Sequence, residues 1–515
     1  MVDIKELSWT TTSCVLAIST LLCLDTALLY AEEQPKELSE VREILEQATQ
    51  TAAPIKNAFF RAKVFHSIAA AHVKAANLEK ALAVADRKDN VSKDGTLQAI
   101  IWAQLVMEQI PNAIETAARI EDGYFKASML QNIAEDLAKK AEHKDALKIL
   151  EEARAASSTM RDDSTKAHVL RNIAETQAKA GDRSAARQTI EKAMKIVATS
   201  PLTVMDKSFE LQEMAEAQAQ LGDIHGALKT VRSIKDDEHK AGALRNIAGA
   251  QARAGDVSHA LETVARIKDH FNHNFALQRI VEAQANAGDM RGALQTASAI
   301  KQSNSSKAIA LIRIAEAQAR LKNLEAASFT LQQARQAALH IQNVKERAHR
   351  LGWVARVKAE VGDKVSASET VQEALTATND IANKKDKDSP LLSIVEAQAQ
   401  MGDFKGALQT TSSMNSDFVT DRAFYQIARA QAQAGDIDGA LKTAALSQGY
   451  EFMWRGYTLQ FIATVQAQRG DKKGAFSWVA KQSQPSDTAL GLLGVAEGIL
   501  MEGKPVDMTP RVLSF

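Results

Sequence analysis

Repeated pairs of arginine and asparagine are the residues of this chain best suited to binding chemistry. Arg171 is followed by Asn172, and Arg245 is followed by Asn246, within similar stretches of sequence. Arginine presents a fork of N–H donors that matches a carboxylate, and asparagine adds an amide that both donates and accepts. The two pairs therefore predict contacts with a carboxylate or amide group of a partner.

Glutamates recur in a row beside these basic residues. Arg171 and Glu175 have the spacing of an ion pair on one helix face. The equivalent position after Arg245 is Gly249, so Arg245 and Arg253 have no acidic partner in their own helix. Two interpretations stay open: a lattice of ion pairs between repeats or a solvated face, and a binding surface at Arg245 and Arg253. The row contains Glu135, Glu175, Glu216, Glu282, Glu316 and Glu396, with the basic neighbours Arg171, Lys179, Arg245, Arg253, Arg320, Arg356 and Arg429.

Aromatic residues form 5% of the chain and concentrate between Phe404 and Trp478. Aromatic side chains dominate the energetics of many interfaces, so this stretch is a second candidate site, for a peptide or a glycan. The alternative is that larger residues close the core near the end of the chain. The candidate partner-binding residues here are Arg422, Tyr425, Arg429 and Tyr457.

Signals for catalysis, cofactors and metals are weak. Asp269, His270 and His273 have a spacing that metal ligands can use, but they lie in a polar stretch without a third strong ligand nearby. The Gly-Asp dipeptides lack the lysine and hydroxyl partner of a phosphate-binding loop, and the G-x-S-x-G and H-E-x-x-H motifs are absent. We therefore expect a protein that is not an enzyme and that needs no cofactor or metal.

The charged residues belong to a repeated pattern, IAEAQA-x-x-GD-x-x-x-AL. In the copy over Lys240–Ile267, Ile247 and Ala248 are part of an apolar stripe at helical spacing. Gly255 can adopt the left-handed conformation that ends a helix, and Asp256 can cap the next one. Each copy is therefore predicted to form two antiparallel helices of about three turns. Such a pair cannot bury its apolar faces alone, so we expect successive pairs to stack.

The unit resembles the tetratricopeptide repeat (TPR), a helix-turn-helix module. The match rests on Ile247-Ala248, on the turn glycine Gly255 and on Ala260 in the second helix, and it covers about Ala58 to Ala480. The tyrosine of the family is replaced by glutamine, and its closing proline is absent. The resemblance implies a concave groove lined by first helices, in which peptides lie. The family's clamp of Lys, Asn and Arg for a carboxylate makes the Arg-Asn pairs look like an analogue.

Most steps between copies of the pattern are about 33 residues, and steps of about 40 residues occur in adjacent pairs that recur after about 180 residues. The predicted fold is all-α, an αα-solenoid superhelix of about twelve TPR-like helix-turn-helix repeats with a duplicated five-repeat block. About seven extra residues add two helical turns. Longer helices, or a helix and a loop, are therefore expected near 146–168, 187–208, 327–347 and 367–389.

The N-terminus reads as a leader. An apolar run from Cys14 to Leu24 is shorter than the about 20 residues of a membrane span and fits the core of a signal peptide. We expect residues 1–31 to be a signal peptide or membrane anchor, 32–57 a lead-in helix, 58–484 the TPR-like solenoid, and 485–515 a degenerate repeat and C-terminal cap. The protein would be periplasmic or secreted if the leader is cleaved, and tethered to the membrane otherwise. Both cysteines, Cys14 and Cys23, lie in the leader.

Charge limits the function. The 515 residues include 63 Lys+Arg and 63 Asp+Glu, a formal net charge of zero. General binding to nucleic acid, which requires a basic surplus, is therefore excluded. The expected function is a non-catalytic scaffold that binds protein or peptide partners in the concave groove. The alternatives are a helical-superhelix enzyme or glycan-binding protein of the cell envelope, and a self-assembling structural array.

Overall fold

The computed structural model describes residues 37–301, 303–447 and 453–502, and most of these residues lie in α-helices. None of the three stretches contains a β-strand. A helix over residues 37–52, α1, comes first. From there the helices follow one another as the predicted pairs, so the fold is an all-α helical-repeat array.

First and second helices alternate along the chain. The first helices are α2 (Ala58–Lys74), α4 (Lys93–Val106), α6 (Gly123–Lys139), α8 (Asp163–Lys179), α10 (Val204–Gln220), α12 (Asp237–Arg253), α14 (His270–Asn286), α16 (Asn304–Arg320), α18 (Val344–Glu360), α20 (Asp388–Met401), α22 (Asp417–Ala434) and α24 (Met453–Gln468). The second helices are α3 (Leu78–Ala85), α5 (Ile110–Ala118), α7 (His143–Ser158), α9 (Arg183–Thr199), α11 (Ile224–Ser233), α13 (Val257–Val264), α15 (Met290–Ser298), α17 (Leu324–Leu339), α19 (Lys364–Asn379), α21 (Phe404–Thr411), α23 (Ile437–Ala444) and α25 (Lys472–Val479). A 3₁₀ turn, Lys384–Lys387, precedes α20, and α26 (Pro485–Leu500) follows α25.

The pair formed by α12 and α13 shows why the sequence folds this way. The Asp236 side chain accepts a hydrogen bond from the backbone N–H of His239 at 2.9 Å and caps α12. After α12, Gly255 has a φ of +84° and reverses the chain. The Asp256 side chain then accepts from the backbone N–H of His259 at 3.3 Å and starts α13. The roles predicted for Gly255 and Asp256 are confirmed.

The second helices fall into two length classes. Most contain 8 to 10 residues, whereas α7, α9, α17 and α19 contain 16 or 17. The four long helices lie where the wider spacing of the pattern predicted them, and their extra turns account for the added residues.

Small residues let the helices approach closely. Ile247, Ala248 and Ala260 are completely buried, and α12 packs against both α10 and α14. A larger side chain at either alanine would push the helices apart, at a cost of about 1–3 kcal/mol. The alternation of isoleucine and alanine therefore sets the distance between neighbouring pairs.

A buried hydrogen bond joins the two helices of several pairs. In each case a threonine hydroxyl in the second helix donates to Oε1 of a glutamine in the first helix, at 2.7–2.8 Å. A buried amide needs such a partner, so the glutamine that replaces the tyrosine of the TPR family is structural. The pairs are Gln177–Thr189, Gln218–Thr230, Gln251–Thr263, Gln284–Thr296, Gln398–Thr410 and Gln431–Thr443.

The contacts divide the chain into two units, one with described residues 37–96 and 459–502 and one with residues 97–458. Within the first unit, α26 packs against α2 as well as α25. Lys472 Nζ also lies 2.5 Å from Oε2 of Glu40. Nearly every face of α26 is buried, whereas a terminal cap has a polar outer face. Within this unit α26 therefore lies between α2 and α25, and the cap over 485–515 stays a prediction.

Some sequence-based predictions fall outside the described residues. These are the leader over 1–31, including both cysteines, and the tail over Lys504–Phe515. In the stretches that the structure describes, no helix combines the length and apolar character needed to cross a membrane.

Candidate functional site

Arg171, predicted to bind a partner, links two neighbouring first helices. Its Nη1 forms an ion pair with Glu213 of α10, and its Nη2 lies 3.0 Å from Nδ1 of His168 and 3.4 Å from Oδ1 of Asn172. The predicted ion pair of Arg171 with Glu175 does not form, although both residues are among those described. The Arg171 side chain is 12% exposed, so this Arg-Asn pair has little capacity left for a ligand.

Much of the charged row is a lattice between repeats. Its cross-helix contacts are Lys179–Glu135 at 2.9 Å, Arg320–Asn286 at 2.7 Å, Arg356–Glu316 at 3.3 Å and Arg422–Glu396 at 3.8 Å. Each contact joins one first helix to the next. Where these contacts occur, the geometry supports the lattice interpretation, and each exposed pair contributes at most about 1 kcal/mol to stability.

The lattice is interrupted at Gly249 of α12. A Cβ at this position would lie 3.2 Å from Cδ of Arg279 and 3.5 Å from Nη1 of Arg253. Arg245, one turn earlier in α12, donates to Oδ1 of Asn272 at 3.0 Å. Arg245, Arg253 and Arg279 thus surround the position where other first helices carry a glutamate. We call these three residues the arginine cluster.

Within the described ranges, the arginine cluster has no ion-pair partner. Among the described residues, no carboxylate oxygen lies within 4.0 Å of a guanidinium nitrogen of Arg245, Arg253 or Arg279. The nearest member of the row on α10, Glu216, accepts from Nδ2 of Asn246 at 2.7 Å. Burial and the positive charge of Arg279 lower the pKa of Arg245, against the attraction of more distant glutamates. An added carboxylate would relieve this repulsion.

A pair of exposed phenylalanines adjoins the cluster on α14. Phe271 is 71% exposed and Phe275 is 37% exposed, and their rings stack with centroids 6.2 Å apart. The guanidinium carbons of Arg245 and Arg279 lie 5.0 Å and 6.0 Å from the centroid of Phe275. Sequence analysis identified Arg245 and Arg253 but missed Arg279 and both phenylalanines, because their proximity depends on the stacking of α12 on α14.

The possible metal ligands at the start of α14 have a different role. The Asp269 side chain accepts from the backbone N–H of Asn272 at 2.6 Å and caps the helix. His270 and His273 are the first and fourth residues of α14. In the described part of the chain, no group of three His, Cys, Asp or Glu residues has a geometry that could hold a metal ion.

The aromatic candidate site is a half-buried cluster. Tyr425 packs on Trp454 with ring centroids 5.6 Å apart, and Phe418 meets the same ring at 5.8 Å. Burial raises the pKa of Tyr425, against the charge of Arg429, and raises the pKa of Tyr457 to about 12. Arg422 faces Glu396. The contact with Trp454 gives Tyr425 a packing role, and the predicted partner-binding role of Arg422, Tyr425, Arg429 and Tyr457 stays a prediction.

Raised pKa values of carboxyl groups, which an enzyme could use, have structural causes here. Burial is the largest cause of the raised pKa of Glu175, Glu360 and Glu396, and in each case the charge of a nearby arginine opposes it. Glu360 pairs with Arg356 of its own helix. Burial therefore explains the direction of these shifts, and the arginine contacts reduce them.

A small charged cavity of about 180 Å³ lies next to the arginine cluster, between α14 and α16. It is lined by Glu282, Ala285, Asn286, Arg313, Glu316 and Arg320. Arg313 pairs with Glu316 at 3.0 Å and Arg320 donates to Asn286, so most of its polar groups already have partners. Its lining is polar, whereas pockets for small organic ligands are mostly apolar.

Several solved structures are similar to this chain. No protein-family model and no curated protein matches the chain. Among solved structures, Ton1535 from Thermococcus onnurineus NA1 is similar, with 17% identity, a TM-score of 0.27, and coverage of 69% of this chain and 96% of the other. The APC/C hetero-tetramer Cut9–Hcn1 has 12% identity, a TM-score of 0.26 and coverage of 79% and 89%. Naa15/Naa10 bound to HypK-THB has 15% identity, a TM-score of 0.28 and coverage of 90% and 78%.

The helical pairs define the class of this protein. Capped first helices, left-handed glycines and second helices that return antiparallel form a helical-repeat fold that resembles tetratricopeptide repeats.

Proposed function

We propose that the protein is a non-catalytic scaffold that holds a partner protein or peptide on the face of its first helices. The observation that supports this is the interruption of the charged row at Gly249. Most of the row is engaged in contacts between repeats, whereas the arginine cluster carries three cations with no carboxylate within ion-pair distance among the described residues. An array that served packing alone would gain from a glutamate at this position. Its absence leaves charge available for a partner.

Affinity capture from the native lysate tests the scaffold. We expect the wild-type protein to retain a specific partner that the Arg245→Glu/Arg253→Glu variant loses. Arg187→Glu/Arg266→Glu is the matched control, since it reverses two exposed arginines away from the row. Tyr425→Ala/Tyr457→Ala tests the aromatic cluster in the same way. Equal capture by all four proteins would contradict the proposed surfaces, and capture of no partner by the wild type would contradict the scaffold itself.

Export of the protein is part of this proposal. It is supported by the sequence of the leader alone, since residues 1–31 lie outside the described structure. Cleavage after Ala31 would leave a mature chain that begins at Glu32, and mass spectrometry of the native N-terminus checks this. An intact leader in a protein found only in the cytoplasm would contradict export.

A further inference from the structure

We propose that the arginine cluster and the phenylalanine pair, Phe271 and Phe275, form one site for a peptide segment of a partner protein in which one or two acidic residues adjoin a large apolar one. This inference rests on the proposed scaffold function and names the chemistry of its partner. The acidic side chain would contact Arg245, Arg253 and Arg279, and the apolar side chain would cover the two rings.

The missing glutamate at Gly249 and the exposed phenylalanine pair in the first two turns of α14 coincide at this place. Exposed aromatic rings also lie near the start of other first helices, such as Phe209 of α10 and Phe418 of α22. The pair on α14 differs because the ring of Phe275 lies against two guanidinium groups, of Arg245 and Arg279, that have no ion-pair partner among the described residues. One ligand could therefore contact the rings and the cations together.

The contacts between the two parts fix the order of charge and apolar surface. Arg245 and Arg279 both lie against the ring of Phe275, so one guanidinium face of each is covered. Nε and Nη1 of Arg245 donate to Asn246 and Asn272, so Nη2 of Arg245 and the N–H edge of Arg279 remain for an acceptor. A carboxylate held at those edges would place its neighbouring residue next to the exposed ring of Phe271. The site is thus built for two adjacent side chains of different character.

The surrounding charges select a local anion over a polyanion. Carboxylates of the row lie on both sides of the cluster, Glu216 on α10 and Glu282 and Glu316 on α14 and α16. A nucleic acid that extends along the first helices would meet these carboxylates with its phosphates. A peptide with one or two acidic side chains at the cluster would not, so a peptide segment is the better match.

Fluorescence anisotropy with labelled synthetic peptides tests the site. The probes are 12-residue peptides of otherwise neutral polar residues that carry one Glu-Leu pair, one Glu-Ser pair or one Lys-Leu pair, together with a single-stranded oligonucleotide. We expect the Glu/Leu peptide to bind the wild type more tightly than the other three. Gly249→Glu should weaken this binding by roughly tenfold, because it restores a carboxylate between the arginines.

A second variant and its control test the phenylalanine pair separately from the arginine cluster. Phe271→Ala/Phe275→Ala should weaken the binding of the Glu/Leu peptide by roughly fivefold, while the salt dependence of this binding persists. Phe329→Ala is the control, since Phe329 of α17 is 68% exposed and lies outside the site. The substituted phenylalanines are exposed, and Gly249 has no side chain to lose. Circular dichroism confirms that each variant is folded.

Each outcome decides the inference separately from the scaffold. Loss of binding in Gly249→Glu alone would overturn the apolar half of the site. Binding unchanged in both variants, or no binding of the Glu/Leu peptide to the wild type, would overturn the whole site, while partner capture by the wild type would leave the scaffold standing. Preferred binding of the oligonucleotide, lost in Gly249→Glu, would replace the peptide with a nucleic acid.

Discussion

The repeats formed by α12 and α13 and by α18 and α19 place unpaired cations in opposite environments. In the first, Gln251 and Thr263 share the buried hydrogen bond, and the arginine cluster lies at the surface. In the second, Arg356 at the surface pairs with Glu316, whereas Lys358 takes the buried position of the glutamine. The same fold thus exposes unpaired charge in one repeat and buries it in another.

The two environments have different consequences for the free energy of folding and for binding. Lys358 is 1% exposed and donates to the hydroxyl groups of Ser366 and Thr370, at 2.5 Å and 3.2 Å, neither of which carries a negative charge. Burial of an ammonium group without a carboxylate costs free energy of folding. Arg253 at the surface is solvated by water, so its missing partner costs little and leaves it free to bind. An unpaired cation is therefore a stability cost in the core and a binding capacity outside it.

The largest expected effect follows from Lys358→Gln, which restores the glutamine and threonine pair. We expect the free energy of unfolding at pH 7 to rise by about 3 kcal/mol, because a buried charge is replaced by an amide that Thr370 can satisfy. Urea unfolding measures it, with the exposed Lys364→Gln as the matched control. A glutamine variant less stable than the wild type would show that Lys358 is well accommodated.

The difference in stability between the wild type and Lys358→Gln should depend on pH. Burial, followed by the charge of Arg335, lowers the pKa of Lys358 from its ordinary value of 10.5. The unfolded chain therefore binds more protons between the lowered pKa and 10.5, and stability rises with pH across that window. The advantage of Lys358→Gln should shrink as pH approaches 10.5. An advantage that is constant from pH 7 to pH 10.5 would contradict a lowered pKa.

Thr263→Val is the next largest change, and it tests the buried pair in the other repeat. The substitution keeps the shape of the side chain but leaves Oε1 of Gln251 buried without its donor, which should cost about 1–2 kcal/mol. Thr263→Ser keeps the hydroxyl and serves as the control for the bond itself. Thermal unfolding distinguishes them; equal melting temperatures for the wild type and the valine variant would mean that the amide has another partner.

Gly249→Glu should raise stability by up to about 1 kcal/mol while it weakens peptide binding. A glycine in a helix interior costs about 0.5–1 kcal/mol relative to alanine. The neighbours of a new Cβ are Cδ of Arg279 at 3.2 Å and Nη1 of Arg253 at 3.5 Å, in the flexible parts of their side chains, and Cβ of Arg279 at 3.4 Å, an ordinary van der Waals contact. Gly249→Ala should gain the stability that comes from replacing a glycine in the helix, and it should bind the Glu/Leu peptide as the wild type does. A glutamate variant that is destabilised, or one that binds the Glu/Leu peptide as the wild type does, would remove the distinction between the two repeats.

The smallest effects concern the surface arginines themselves. Arg356→Gln breaks contacts with Glu316 and Glu360 and should cost at most about 1 kcal/mol. Arg253→Gln breaks no ion pair among the described residues and should change stability by less than about 0.5 kcal/mol. Chemical unfolding of the two variants side by side checks this order, and a larger loss for Arg253→Gln would mean that the arginine cluster stabilises the fold.

Local features of the fold were predictable from sequence because they depend on neighbours in the chain. The left-handed Gly255, the cap at Asp256 and the long second helices each follow from residue types at fixed spacing. The absence of an acid at Gly249 was visible for the same reason. The ion-pair partner of Arg171 was not predictable, because Arg171 pairs with Glu213 on the next first helix and not with Glu175 on its own helix. Spacing alone cannot rank partners that come from different helices.

The sequence by itself determined the helix pairs, their caps and turns, and the position at which the row of glutamates is interrupted, since hydrogen bonds within a helix and at its ends join residues a few positions apart. Only the tertiary structure decided that Arg245 and Arg279 meet the ring of Phe275, that Lys358 is enclosed beside two hydroxyl groups, and that α26 packs on α2. These contacts join residues on different helices, so they exist only once buried alanines have set how closely the helices stack.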